Sequence, residues 1–427
     1  MRIARWFDRA ENSPKGPLNP PRPRIRSVLN PDRAGWKDAP WDFQKLRMVP
    51  RIAALFGLLC TPFLIPGDRW VKIMRGEKGI DAEIRHAQTH GYYESILSEP
   101  NRVQGAKTGA LAKAEKEPLA PAGWTPFAES GIVKPVNDYL RWRMKPNLNI
   151  VWNGARFSTN RLGYRTPDVA IPKPPGVYRI VVIGSSNTMG HGVADDEIFV
   201  RKLETWLNCD DVGQGRRVEV VNMAVSSDAP SQNLLRLELD VPALEPDWIL
   251  NDITVLDYSL EELHLHTTVR NNWDIPFGYV RSILREAGVS SSDSLTEFSV
   301  KLQGSTEALL DGAYQGWAAE AAKLGCPMTM IHLPRTDAKI DNRNLKRMAE
   351  RLAARYSLPV IDLTNAYRGH ELSEYRLSPW DKHPSVLGHQ LIFEALRNAL
   401  ISQGGGPGYP LEINGSDERR ETELDKR

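Results

Sequence analysis

Apolar and polar positions change rhythm along the chain, and the change marks out its organisation. From residue 178 onward, short apolar runs at 178–183, 218–221, 248–255, 328–333 and 360–363 alternate with segments near 199–207, 231–239, 306–324, 342–356 and 385–401. The second set carries apolar residues at helical spacing: in the last of them Leu387, Leu391, Ile392, Ala395 and Leu396 make one stripe. Mostly apolar strands in alternation with amphipathic helices predict an α/β fold with five parallel strands and helices on the faces of the sheet. A polar stretch at 258–304, holding Trp273 and Tyr279, interrupts the alternation. Its length predicts a lid over the sheet's crevice, whose removal should change substrate preference more than stability.

Ahead of the alternation the pattern is different. Residues 1–51 carry twelve Lys/Arg against five Asp/Glu and eight prolines with no sustained period, the composition of a disordered basic segment. Residues 52–66 (IAALFGLLCTPFLIP) then run uncharged. Fifteen residues are short for a bilayer span, so the run reads either as a membrane anchor or uncleaved signal, or as a buried or amphipathic helix. If it inserts, Lys45, Arg47 and Arg51 keep the N-terminus inside and send the rest outward. Localisation stays open between an anchored protein with its main domain outside the cytoplasm and a cytoplasmic one. Residues 67–122 read as a polar helix at 75–98 followed by a linker. His86 and His90 are spaced as zinc ligands on one helical face would be, but no third ligand is near, which leaves a solvated face. The tail 403–427, opening on Gln403 and three glycines, reads as disordered.

Composition adds exclusions. The chain holds 55 Lys/Arg and 53 Asp/Glu for a net charge of +2, so no global field argues for nucleic acid. Cys60, Cys209 and Cys326 are too few and too scattered for a disulfide framework or a cysteine zinc site, and no cofactor or metal is implied.

In an open parallel sheet, ligands bind beyond the carboxyl ends of the strands, so chemistry is sought there. The first strand is followed by Gly184-Ser185-Ser186-Asn187-Thr188-Met189-Gly190-His191-Gly192. These glycines fit neither the dinucleotide fingerprint nor a P-loop. A serine two residues beyond such a strand instead has its hydroxyl and its own N–H turned to the crevice, which suits a nucleophile. Asp381-Lys382-His383-Pro384 stands immediately before the last helix. A lone serine there caps a helix and a lone His-Pro makes a turn; together at the ends of one sheet they point to a nucleophile and its base. His191, His264, His266 and His332 read as surface or supporting residues.

The block Gly184-Ser185-Ser186, followed by Gly190-His191-Gly192-Val193 and Asp195-Asp196-Glu197, resembles the first block of the SGNH (GDSL-like) hydrolases over residues 178–402. The resemblance implies an SGNH, flavodoxin-like three-layer α/β/α domain with Ser186 as nucleophile, His383 as general base and Asp381 fixing its tautomer. It places the oxyanion donors at the N–H groups of Ser186 and Ala224, with Ala224 standing where the family has glycine. The family's third-block asparagine falls on Leu256 of Leu256-Asp257, which cannot donate, so Thr254 or Asn251 would have to compensate. Asp381 sits two residues before His383, where the family spacing is three and Trp380 stands, so the pair must close over a tighter turn. Trp142, Asn160, Gly163 and Tyr164 resemble the run that precedes the first block in bacterial members, implying a small β-rich extension at 123–177. The activity implied is hydrolysis of an ester, on a small molecule or on O-acetyl or acyl groups of a glycan. O-acyl transfer and a catalytically silent binding module are the alternatives. Membrane association would run through 52–66, and the oligomeric state is unreadable.

Overall fold

The computed structural model describes residues 120–209, 212, 215–336 and 343–411. The expectations for 1–51, for the apolar run 52–66, for the helix and linker up to 119 and for the end of the tail from 412 lie outside the described residues. Among the described residues no helix is long and apolar enough to cross a membrane.

Two antiparallel hairpins open the described chain: β1 (Val133–Pro135) with β2 (Trp142–Met144), and β3 (Asn149–Trp152) with β4 (Ala155–Ser158). The main sheet follows, built from β5 (Val177–Ile183), β6 (Arg217–Asn222), β7 (Trp248–Ile253), β8 (Met328–His332) and β9 (Val360–Asp362). All of its pairings are parallel, in the order β6-β5-β7-β8-β9. The chain leaves β5 toward β6 on one side and returns to add β7 on the other. The end of β5 is therefore the switch point at which open α/β sheets bind ligands.

Alternate strand residues feed two cores. Tyr178, Ile180 and Val182 of β5 face one, with Phe199 and Leu203 of α2 (Phe199–Leu207) and Ile392 and Leu396 of α10 (Val386–Ser402). Val181 and Ile183 face the other, with Leu234 of α3 (Pro230–Leu239), Leu309 and Trp317 of α7 (Thr306–Leu324) and Met348 of α8 (Arg343–Arg355). Strands buried on both faces are apolar at most positions, and the charged exception in β5, Arg179, is buried only because Glu219 of β6 meets its guanidinium at 2.6 Å. Helix starts are legible too: Pro230 opens α3, and Ser385 caps α10 by accepting the Gly388 N–H at 3.2 Å.

Two expectations are corrected. The polar stretch 258–304 is no detachable lid. It forms α4 (Asp257–Arg270), α5 (Gly278–Ala287) and α6 (Leu295–Leu302), whose Leu265, Val280, Leu284, Phe298 and Leu302 are buried in the same core as α7. Tyr279 packs so tightly on Gly312 that a Cβ there would lie 2.2 Å from its ring. Removing this segment would unpack a core, so stability should suffer first. Residues 403–411 do not begin a disordered tail but turn back as the small hairpin β10 (Gly405–Gly406) and β11 (Tyr409–Pro410). Gly404 and Gly405 take positive φ, and Gly406 lies flat on Trp248, where a Cβ would come within 2.6 Å of the ring. Buried Tyr409 sits 4.9 Å from the Tyr178 ring and anchors the hairpin to β5.

Candidate active site

Ser186 opens α1 (Ser186–Met189), the single helical turn directly after β5, and is 4% exposed. The turn is held from below by a residue that the sequence pattern does not single out. Asp252, next to last in the buried run of β7, accepts the Ser185 N–H at 3.0 Å and the Thr188 hydroxyl on the same carboxylate oxygen. Gly184 is required for this approach, since a Cβ there would stand 2.1 Å from that oxygen. In Gly184-Ser185-Ser186 the middle residue is an uncharged serine, and the carboxylate against it comes from the neighbouring strand. Asn222, ending β6, adds a second tie by donating to the Thr188 carbonyl at 2.8 Å.

The loop beyond α1 is held from above by Arg165 of the β-rich extension. Its guanidinium is 2% exposed and donates to the carbonyls of Met189, Gly190, Arg156 and Val193, while its Nε meets Asp195 at 2.9 Å. The extension thus forms part of the framework around the serine turn.

Asp381 and His383 come together between α9 (Leu372–Tyr375) and α10. The tight turn works because Asp381 Oδ1 accepts from both ends of the same histidine: the His383 backbone N–H at 3.1 Å and the ring Nδ1 at 2.5 Å. The first contact is the ordinary Asx turn of an aspartate two residues upstream, so Asp-x-His is self-sufficient where a longer spacing would need another fold of the chain. His191, read as a surface or supporting residue, takes the supporting place: it is buried at 4% exposure and lies against this pair. Its ring stacks on His383 with centroids 3.9 Å apart and planes at 10°, and its Nε2 is 3.3 Å from Asp381 Oδ2. Burial, then the neighbouring His383, push His191 down to about 4, so it is neutral near neutral pH. For Asp381 burial acts upward, but the charges of His383 and His191, with the hydrogen bond to His383, outweigh it and hold the carboxyl well below the usual carboxylate range.

His191, Asp381 and His383 are also a set of three possible metal donors. The 2.5 Å between Asp381 Oδ1 and His383 Nδ1 is closer than two ligands of one ion sit, which for zinc bonds of 2.0–2.1 Å is about 3.3 Å. That distance fits a shared proton.

The oxyanion donors are less well served. The Ala224 N–H points to Asn222 Oδ1 at 3.2 Å. Thr254 is committed elsewhere, its N–H and hydroxyl both donating to Asp257 Oδ1 at 3.0 and 2.7 Å as α4 begins. Asn251 is buried in β7 with no hydrogen-bond partner for its side-chain amide among the described residues. His264 is buried edge-on to Tyr139 and His332 is buried at the end of β8, while His266 lies near the Asp293 carbonyl at 3.1 Å. A cleft of about 30 Å³ opens beside His383 and His191, lined by Trp124, Phe127, Arg141 and Trp142 of the extension and by Ser226 and Ser227 after β6.

No family model matches the chain, and no curated protein does. Among solved structures it is similar to TesA, at 14% identity and a TM-score of 0.35 over 52% of this chain and 98% of that one. It is similar to Axe2, an acetylxylan esterase from Geobacillus stearothermophilus, at 16% identity and a TM-score of 0.34 over 52% and 93%. A two-domain esterase active on acetylated mannans gives 16% identity and a TM-score of 0.35 over 55% and 52%. The five-stranded parallel sheet and the serine turn after its first strand accord with the sequence resemblance to the SGNH (GDSL-like) hydrolases, while the Asp-x-His spacing before the last helix departs from it.

Proposed function

We propose that the protein is a serine ester hydrolase. His383 takes the Ser186 proton on Nε2, Ser186 Oγ attacks the ester carbonyl, and the tetrahedral intermediate expels the alcohol, which receives that proton from His383. Water activated by the same histidine then releases the acid and restores Ser186. The observation that carries this reading is the 2.5 Å contact between His383 Nδ1 and a buried Asp381, which is the device that presents Nε2 as a base. The Ser186 N–H is the first oxyanion donor. The Ala224 N–H joins it once it leaves Asn222, at the long end of hydrogen-bonding distance.

The cleft wall favours a particular substrate class. Trp124 and Trp142 set aromatic side chains beside the base, and Ser226 and Ser227 line the same cleft. Aromatic planes with scattered polar groups suit the ring of an acylated sugar, and the small cleft suits a short acyl group such as acetyl. The test is turnover of p-nitrophenyl acetate and of an acetylated oligosaccharide by the full chain, beside Ser186→Ala. Hydrolysis of both, abolished by the substitution, supports the reading; activity that survives it refutes the serine mechanism.

A second reading has its own support. With the Ala224 N–H and the Thr254 hydroxyl both engaged, the site is short of oxyanion donors, which fits a module that binds acylated glycans without cleaving them. Binding of the oligosaccharide with no acetate released would favour it.

A further inference from the structure

His191 presents a physical problem. Both of its ring nitrogens are buried and lack hydrogen-bond partners, and so does Asp381 Oδ2, which stands 3.3 Å from His191 Nε2. Buried polar atoms left unpaired are rare, and here two of them face one another across a gap that a small ring rotation closes. The surroundings leave His191 little other freedom. Its backbone N–H donates to the Ser186 carbonyl at 3.1 Å, Gly190 and Gly192 flank it at positive φ, and Trp152 of the extension packs edge-on at 4.4 Å. The charged or titratable groups acting on it are His383, Asp381 and Arg165.

We propose that His191 is a positioning residue: it donates Nε2–H to Asp381 Oδ2 as the imidazolium forms on His383, and its ring backs that of His383 throughout. The carboxylate is then gripped at both oxygens, by His383 on Oδ1 and by His191 on Oδ2, and cannot swing away as charge develops beside it. Because His191 also holds the Ser186 carbonyl through its own backbone, one residue sets the register between the serine turn and the Asp-His turn. The loose contact of the resting site is the expected form of such a bond, since hydrogen bonds of this kind tighten when the reaction proceeds. The proposal rests on the hydrolase reading above.

The test compares His191→Phe, which keeps the stacked ring but has no donor, with His191→Gln, whose amide can reach Oδ2. Kinetics use the full chain and p-nitrophenyl acetate; the far-downfield proton resonance of the short Asp381–His383 bond gives a second, activity-free readout. His191→Phe should lower kcat between about 10- and 100-fold with KM unchanged, as misplacement of a catalytic group does. It should also broaden or shift that resonance, and His191→Gln should restore both. Full kcat in folded His191→Phe overturns the proposal, as does a loss that His191→Gln fails to restore. If the wild-type chain turns over no ester while the resonance still responds to the two substitutions, the hydrolase reading fails and the grip on Asp381 stands.

Discussion

Asp252 allows the physics of the serine turn to be tested by a change of charge without a change of shape. The carboxyl is 3% exposed, and both of its described hydrogen bonds, from the Ser185 N–H and the Thr188 hydroxyl, fall on Oδ2. Burial outweighs those two bonds and, with a lesser push from the charge of Asp228, lifts the group from 3.8 to about 6. In the unfolded chain it ionises near its ordinary value. Between the two values the folded protein binds the extra proton, so stability falls as pH rises through this window, and the full cost is present above about pH 6. A lift of this size corresponds to on the order of 3 kcal/mol. In Asp252→Asn an amide oxygen in the place of Oδ2 accepts the same two bonds and carries no charge. The variant should therefore gain on the wild type by on the order of 3 kcal/mol between about pH 4 and about pH 8. Urea midpoints of the full chain at several pH values, at constant m, measure this directly. A stability difference that does not change with pH, or a wild type that gains on Asp252→Asn as pH rises, would refute the burial argument.

Three other substitutions probe separate parts of the site. Asp381→Asn should lower kcat by about 10⁴-fold without loss of fold, because an amide opposite Nδ1 favours the wrong tautomer of His383; steady-state kinetics and a melting curve decide it. Trp124→Ala should raise KM for an acetylated oligosaccharide by about 10-fold, the value of one aromatic contact, and leave KM for p-nitrophenyl acetate nearly unchanged. Arg165→Met should cost about 3–5 kcal/mol in urea unfolding, since it strands Asp195 and the carbonyls of the serine loop without their buried partner. A near-neutral result would remove the extension from the framework of the site.

The fold was legible in the sequence where burial is simple. Five strands and five of the helices follow from mostly apolar runs and helical stripes, because a parallel sheet covered on both faces leaves few polar positions to blur the signal. Periodicity failed on α4, where Glu261, Glu262 and His264 are all buried beside Leu260, Leu263 and Leu265, so polar residues mark no outer face. It failed again at 403–411, where a run of glycines has the composition of disorder although Trp248 and Tyr178 receive it. Ser186, Asp381 and His383 were nameable because each lies beside a strand or helix end that the pattern locates. Asp252 and His191 were not. Asp252 sits inside a strand, where a carboxylate gives no sign of what it meets across the sheet, and His191 has the setting of any polar loop residue. A signal was nonetheless present: an aspartate inside a buried central strand is too costly to be there without a partner.

The central claim is that Ser186 is a nucleophile activated by His383, and covalent capture tests it most directly. The full chain would be treated with a fluorophosphonate and the modified peptide mapped, alongside Ser186→Ala and His383→Ala shown to be folded by their melting curves. Modification is expected at Ser186 in the wild type, none in Ser186→Ala, and a rate at least about 10³-fold lower in His383→Ala. An unlabelled but folded wild-type chain, or a label on Ser186 that forms equally fast without His383, would contradict it.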